Sequence, residues 1–385
     1  MLNFELHNPT RIVFGRETIG RINELVPSGA RALVLYGGES ARRNGVLGQV
    51  HEALGSRVVF EFGGIEPNPS FETLMGAVEM VRDKKLDFLL AVGGGSVIDG
   101  AKFVAAAAAY DGDPWRIMET HGAAVTQAVP FGAVLTLPAT GSEMNRGAVI
   151  TRKSTQAKLV FSSPHVYPRF SILDPTMTYT LPSRQLANGL VDAFTHVMEQ
   201  YLTYPVDARV QDRISEGLLQ TLVEIAPQVL TPDENYEARA NLMWSATLAL
   251  NGLIAAGVPE DWSTHMIGHE LTALHGIEHA RTLATVLPAA MLVRRDAKRA
   301  RLLQYAERVW NITEGSEAER IDAAIAATRG FFESLGVPTH LRDYGVGAEH
   351  IDAVIAQLEA HGMTALGERQ GVTLDVSRRI LEASL

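Results

Sequence analysis

Phe88-Leu89-Leu90-Ala91-Val92-Gly93-Gly94-Gly95-Ser96 decides the fold. Five apolar residues that stop on three glycines and a serine read as a short strand buried on both faces, followed by a tight turn that opens a helix. The same grammar recurs on either side. Residues 32–36 run into Gly37-Gly38, 57–62 into Gly63-Gly64, and 133–137 into Pro138-Ala139-Thr140-Gly141-Ser142. Between them, Ser70 to Arg82 puts Phe71, Leu74, Met75, Val78 and Val81 on one helical face, and Asp99 to Tyr110 reads as a second helix. Buried strands alternating with helices predict an α/β domain with a parallel sheet, whose ligands bind at the carboxyl ends of the strands. From about Leu181 the strand-like runs disappear. Ala208 to Val229, Tyr236 to Leu253, Lys298 to Trp310 and Ile321 to Leu335 carry helical periodicity, and Ser316 with Glu319 makes a capping box. The expected organisation is an α/β domain over 1–180 and an all-helical domain over 181–385.

Composition narrows the function. A chain of 385 residues is too long for one ordinary core. A formal net charge of -10 argues against nucleic acid and against anionic membranes as partners. The absence of cysteine excludes disulfides, thiolate metal sites and thiol nucleophiles, leaving nitrogen and oxygen ligands for any metal. The start of the chain has no basic segment followed by an apolar run, and no stretch reaches the roughly 18 apolar residues of a membrane span. The expected location is the cytoplasm.

Two glycine-rich turns carry a nucleotide reading. Bare backbone N–H groups at the opening of a helix bind pyrophosphate, and the Gly93–Ser96 turn supplies them. It matches neither G-x-G-x-x-G nor a Walker A motif, so by itself it fits a structural turn equally well. Gly37-Gly38-Glu39-Ser40 adds a second such turn, and Arg42 and Arg43 after it offer charge to a ribose 2′-phosphate. Glu39 works against that, since a carboxylate there favours a free 2′-hydroxyl.

A metal reading rests on two other segments. Asp192 and His196 stand four apart in a helical stretch, so both side chains share one face. His265, His269, His275 and His279 follow in a second stretch. Spacing alone favours His265 with His269. His265 and His279 would lie about 21 Å apart on one unbroken helix, and share a metal only if the helix breaks, for which Gly276 is suited. A carboxylate with imidazoles holds a divalent ion that polarises a carbonyl oxygen, which points to aldehyde reduction or alcohol oxidation.

At these residues the chain resembles the iron-containing, group III alcohol dehydrogenases, and within them the NADPH-dependent, butanol-dehydrogenase-like aldehyde reductases. The resemblance runs from Asn8-Pro9-Thr10-Arg11-Ile12-Val13-Phe14-Gly15 through Gly64-Ile65-Glu66-Pro67-Asn68-Pro69, the Gly93 triple glycine with Asp99 and Lys102, Leu137–Glu143 and Leu173-Asp174-Pro175 to the Asp192 and His265–His279 segments. It implies a Rossmann-like dinucleotide-binding domain, an all-α domain of the dehydroquinate synthase-like architecture, and a metal and nicotinamide in the cleft between them. It assigns the metal ligands as Asp192, His196, His265 and His279, overruling the pair that spacing favours, and the metal as Fe(II) or Zn(II). It places His269 beside the metal as a catalytic group. Cofactor contacts carried over are Gly37, Gly38, Glu39, Ser40, Asn68, Gly93, Gly94, Gly95, Ser96, Asp99, Thr136, Thr140, Ser142, Asn145, Lys158 and Leu181. Relatives of this NADPH-dependent type carry glycine where this chain has Glu39, whereas NAD-using members carry an aspartate that is absent here, so the implied cofactor is NADP(H). The implied protein is a homodimer acting on short-chain aldehydes and alcohols. Rival readings are an NAD-linked glycerol or polyol dehydrogenase, a dehydroquinate synthase-like lyase, and a non-catalytic metal- and nucleotide-binding protein. The lyase needs a basic pocket, and the segments around the proposed metal hold no lysine or arginine.

Overall fold

The computed structural model describes all 385 residues. The chain forms two compact units, and each draws on more than one stretch: His7–Pro182 with Glu234–Thr247, and Met1–Leu6 with Ser183–Asp233 and Leu248–Leu385.

The first unit is built on β1 (Arg11–Phe14), β2 (Arg31–Tyr36), β3 (Val58–Phe62), β4 (Phe88–Gly94), β5 (Phe131–Leu137), an antiparallel hairpin of β6 (Gly147–Arg152) and β7 (Ala157–Ser162), and β8 (Phe170–Leu173). Six of these pair in parallel in the order β1-β8-β5-β4-β2-β3. Alternate residues of each central strand enter opposite cores. Leu33, Leu35, Leu89, Ala91 and Leu135 pack with Leu74, Val78, Ile98 and Phe103 on one face. Val34, Leu90, Val92, Val134 and Ile172 pack with Ile22, Val46, Val50 and Leu54 on the other. Burial on both faces is why these strands read as unbroken apolar runs. Met243, from the Tyr236–Ala249 helix, completes the first of these cores.

The order places the ligand site. From β2 the chain goes to β3 on one side and then to β4 on the other, so β2 and β4 flank a topological switch point. The turns after these two strands are Gly37–Ser40 and Gly93–Ser96. Strands β1 and β8 span only four residues each, too short to show a period, and they escape a reading based on pattern.

The second unit is helical. Its main elements are Ser183–Tyr201, Arg209–Leu230, Ser263–His275, His279–Val293, Arg299–Trp310, Glu317–Ser334, Ile351–Ala360 and Leu374–Ala383, with a two-residue-strand hairpin of β9 (Ala365–Leu366) and β10 (Val372–Thr373). Ile267, Leu271, Val286, Leu341, Val354 and Leu381 form part of its core. The Ser316–Glu319 capping box is present: the Ser316 hydroxyl accepts from the Glu319 N–H, and the Glu319 carboxylate accepts from the Ser316 N–H at 2.8 Å. No helix is long and apolar enough to cross a membrane.

Candidate metal and nucleotide sites

In the helical unit, Asp192 and His196 lie one turn apart on the Ser183–Tyr201 helix. His265 sits in the first turn of the Ser263–His275 helix, and His279 is the first residue of the next. The break falls at Gly276, whose φ of +68° turns the chain and whose N–H bonds Thr272 O at 2.9 Å. The break brings His279 back to His265. Asp192 Oδ1 lies 3.5 Å from His196 Nδ1, 3.8 Å from His265 Nε2 and 3.9 Å from His279 Nε2. One ligand atom from each of Asp192, His265 and His279 falls within 4.8 Å of the others. His196 stands at the edge of this group, its ring stacked 4.5 Å from that of His265. The ring of His269 lies 5.0 Å from His279 and 6.4 Å from His265. His275, also in the cluster by sequence, turns instead to His350 at 5.1 Å.

The donors fit a divalent cation. Asp192, His196 and His265 are each at most 4% exposed, yet Asp192 Oδ1, His196 Nδ1 and His265 Nε2 make no hydrogen bond. Buried polar atoms left this way are costly unless something else satisfies them. Burial raises the Asp192 carboxyl, but the surrounding histidines outweigh it and hold the group well below the ordinary range. Burial also lowers both imidazoles. It brings His196 down to about 4, whereas Glu199 and Asp192 reverse it for His265 and lift that ring to about 9.

Glu199 is the residue that sequence reading missed. It is 3% exposed and accepts from the Thr264 N–H at 2.6 Å, from the His265 N–H at 3.2 Å, and from the His265 ring through Nδ1. It therefore fixes the helix start and turns Nε2 of His265 toward Asp192. The available signal was its place three residues after His196 on the same helix. Trp262, with a left-handed backbone at φ +60°, covers this corner with its ring 5.3 Å from His265.

In the α/β unit the Gly93–Ser96 turn is closed to side chains at Gly93 and Gly95. A Cβ on Gly95 would stand 2.3 Å from Thr140 Oγ1, and one on Gly93 would stand 2.5 Å from Val97. The Gly95–Ala108 helix opens directly at this turn. Asn68, at φ +56°, donates its N–H to Ser96 Oγ and accepts from Lys158 Nζ at 2.9 Å. Thr136 lies on β5, and the Leu181 N–H closes a turn on Thr178 O. Glu39 and Ser40 are exposed at the end of β2. Arg42 is committed to Tyr36 and to Glu61 on β3, so of the two exposed arginines of this turn Arg43 is the one not paired with a carboxylate.

Beneath the triple glycine, Lys102 is fully buried and donates to Ser142 Oγ, Asn145 Oδ1 and Gly147 O at 2.8, 2.8 and 2.7 Å. Ser142 in turn donates to Asp99 Oδ1, and the Val149 N–H donates to Asp99 Oδ2. Burial dominates both charges, bringing Lys102 down to about 8 and raising Asp99. Asp99, Ser142 and Asn145 are thus joined through a lysine that the sequence marks only as the third residue after Asp99.

The comparisons with known proteins agree along the whole chain. The family described as "Iron-containing alcohol dehydrogenase" matches residues 9–175, and "Fe-containing alcohol dehydrogenase family, C-terminal" matches 186–383. The chain is 63% identical to the "NADPH-dependent aldehyde reductase YqhD" of Escherichia coli K12, covering 100% of both. It is 42% identical to the "Probable NADH-dependent butanol dehydrogenase 1" of Bacillus subtilis, again over the full length of both. Among solved structures, that of E. coli YqhD superposes with a TM-score of 0.99 at 62% identity, covering 100% of this chain and 99% of the other. The NADH-dependent butanol dehydrogenase A of Thermotoga maritima gives 0.95 at 38% identity, with the same coverage.

Proposed function

The chain belongs to the iron-containing alcohol dehydrogenase family, and from that premise we propose the reaction it runs: reduction of short, uncharged aldehydes by NADPH, with alcohol oxidation in reverse. It is an NADP(H)-dependent, metal-containing alcohol dehydrogenase acting as an aldehyde reductase. The observation that carries the chemistry is the cluster of buried Asp192 and His265 with half-buried His279. When bound, Fe(II) or Zn(II) polarises the carbonyl oxygen and the nicotinamide supplies hydride to the carbonyl carbon, while a proton goes to the oxygen.

The residues of the chain divide the remaining work. Asp192, His196, His265 and His279 hold the cation, and the absence of cysteine leaves nitrogen and oxygen donors, which suit either metal. Glu199 holds the His265 ring. His269, 3% exposed beside His279, holds and passes the proton. Gly93, Gly94, Gly95 and Ser96 present backbone N–H groups to the pyrophosphate, and Gly37, Gly38, Glu39 and Ser40 receive the adenosine ribose. Asn68, Asp99, Thr136, Thr140, Ser142, Asn145, Lys158 and Leu181 complete the cofactor contacts. Residues 1–180 serve as the nucleotide-binding segment and 181–385 as the metal-binding one.

Uncharged substrates follow from composition near the metal. Residues 192–200 and 253–274 contain no lysine or arginine to pair with a phosphate or carboxylate. The expected state is a cytoplasmic homodimer without nucleic-acid or membrane partners. It is supported by the negative charge and by the exposed apolar side chains of Met1, Leu2, Phe4 and Leu6. The test is the rate of NADPH and NADH oxidation with butanal-like, phosphorylated and 2-oxo acid substrates, with and without a chelator. The proposal expects NADPH and neutral aldehydes to lead and the chelator to abolish turnover. Equal or better efficiency with NADH, or a preference for the charged compounds, overturns it.

A further inference from the structure

Past the end of the Ser183–Tyr201 helix, the turn Thr203-Tyr204-Pro205 forms one wall of a cavity of about 230 Å³. The second wall is the junction from Arg294 to Arg301. The tip of the β9–β10 hairpin, with Glu368 and Arg369, completes it. All these residues belong to the helical unit.

Four cations line this small space, Arg294, Lys298, Arg301 and Arg369, against one carboxylate, Glu368. Two of the four are already answered. Lys298 pairs with Asp261 and Glu368 and donates to Leu202 O, and Arg301 pairs with Asp212 at 2.8 Å. Arg294 and Arg369 pair with no carboxylate; the Arg369 guanidinium lies 4.4 Å over the Tyr204 ring. Glu368, the one carboxylate lining the space, is turned to Lys298 at 3.2 Å.

The unanswered atoms lead to a ligand. Arg294 Nη1, Arg301 Nε and Thr203 Oγ1 are buried and make no hydrogen bond. Thr203 and Arg301 are themselves 1% and 4% exposed. Each of the three can donate, they come from separate segments, and all line one cavity. Buried donors of this kind are satisfied in native proteins by a partner. Three donors without partners, with two guanidinium groups that pair with no carboxylate, complement an acceptor-rich group of double negative charge. The volume is below the range of drug-sized pockets, which suits a compact ion.

We propose that this pocket is a binding site for a small dianionic oxyanion, free phosphate or the phosphate group of a small metabolite, separate from the metal and nucleotide sites.

The test is calorimetric titration of sulfate into the full-length, metal-loaded protein saturated with NADP⁺, which fills the phosphate-binding turns of the nucleotide site. Chloride at matched ionic strength is the reference. The expected result is one sulfate per chain, weakened about tenfold by Arg369→Gln and by Arg294→Gln, and weakened by Thr203→Val without a change in charge. Aldehyde reduction and the KM for NADPH stay unchanged in Arg369→Gln, whose side chain is exposed and free to vary without loss of folding. Competition by inorganic phosphate and by glycerol phosphate then separates the sources: tighter binding of the ester identifies a phosphorylated metabolite, and equal binding identifies the free ion. No binding beyond that of chloride, or binding untouched by all three substitutions, overturns the proposal.

Discussion

Among single residues, Glu199 is the most informative. It holds three N–H groups of the segment that carries His265, including the ring N–H. A carboxylate behind a metal-binding imidazole fixes its tautomer and raises its basicity. Glu199→Gln is therefore expected to weaken metal binding about 10- to 100-fold, read by competition with a chromogenic chelator, while nucleotide affinity is retained. Unchanged metal affinity would leave Glu199 as a helix cap only. Lys102 makes a second case, with a definite sign. Its amine titrates at about 8 in the folded chain against an ordinary 10.5, so between these values the unfolded chain binds more protons and stability rises with pH. Lys102→Met removes that rise, worth about 3 kcal/mol across the window, and takes away the nearby positive charge that favours the ionised form of the buried Asp99. Urea denaturation of both proteins at pH 7.5 and 10 measures the difference, and parallel pH dependences would refute it. The Asp192–His196 pair is legible in sequence because helical spacing alone puts both on one face. Glu199 and Lys102 are not, because a glutamate or lysine on a helix is most often solvated, and only burial distinguishes these two.

At the scale of elements, the decisive feature is the pair of helices that meet at Gly276. Spacing within one helix favours His265 with His269, and only the break makes His265 and His279 neighbours. Gly276 has a left-handed φ of +68°, and a Cβ added there would meet nothing within 4 Å. The cost of Gly276→Ala is thus backbone strain alone, about 1 kcal/mol. We expect a lowered Tm in the metal-free protein and partial recovery when metal is added, since binding to the folded state offsets the strain. A Tm equal to that of the parent protein in both states would show that the turn tolerates a side chain. Elements with long periods were legible throughout: Phe71–Lys84, Arg209–Leu230, Arg299–Trp310 and Glu317–Ser334 lie within a few residues of their expected spans. The Tyr236–Ala249 helix stops short of the expected Leu253, where Asn251 accepts from the Leu253 N–H and turns the chain. The hairpins and four-residue strands were not legible, because a period of two needs more residues than they have.

For the whole molecule, the apparent order of an α/β half followed by a helical half describes the composition better than the route of the chain. Residues 1–6 join the helical unit, where the Leu2 N–H bonds Gly257 O, and the Tyr236–Ala249 helix returns to the α/β unit. This crossing leaves no periodicity to read, since it depends on which surfaces a helix covers rather than on its own pattern. It has an evolutionary consequence. A cut near Pro182 yields one fragment without the helix that brings Met243 into its core and another burdened with that same helix and lacking residues 1–6. Recombination has no clean seam at which to exchange one half for that of another enzyme. New specificities in such a lineage must arise by substitution within one intact gene rather than by domain shuffling.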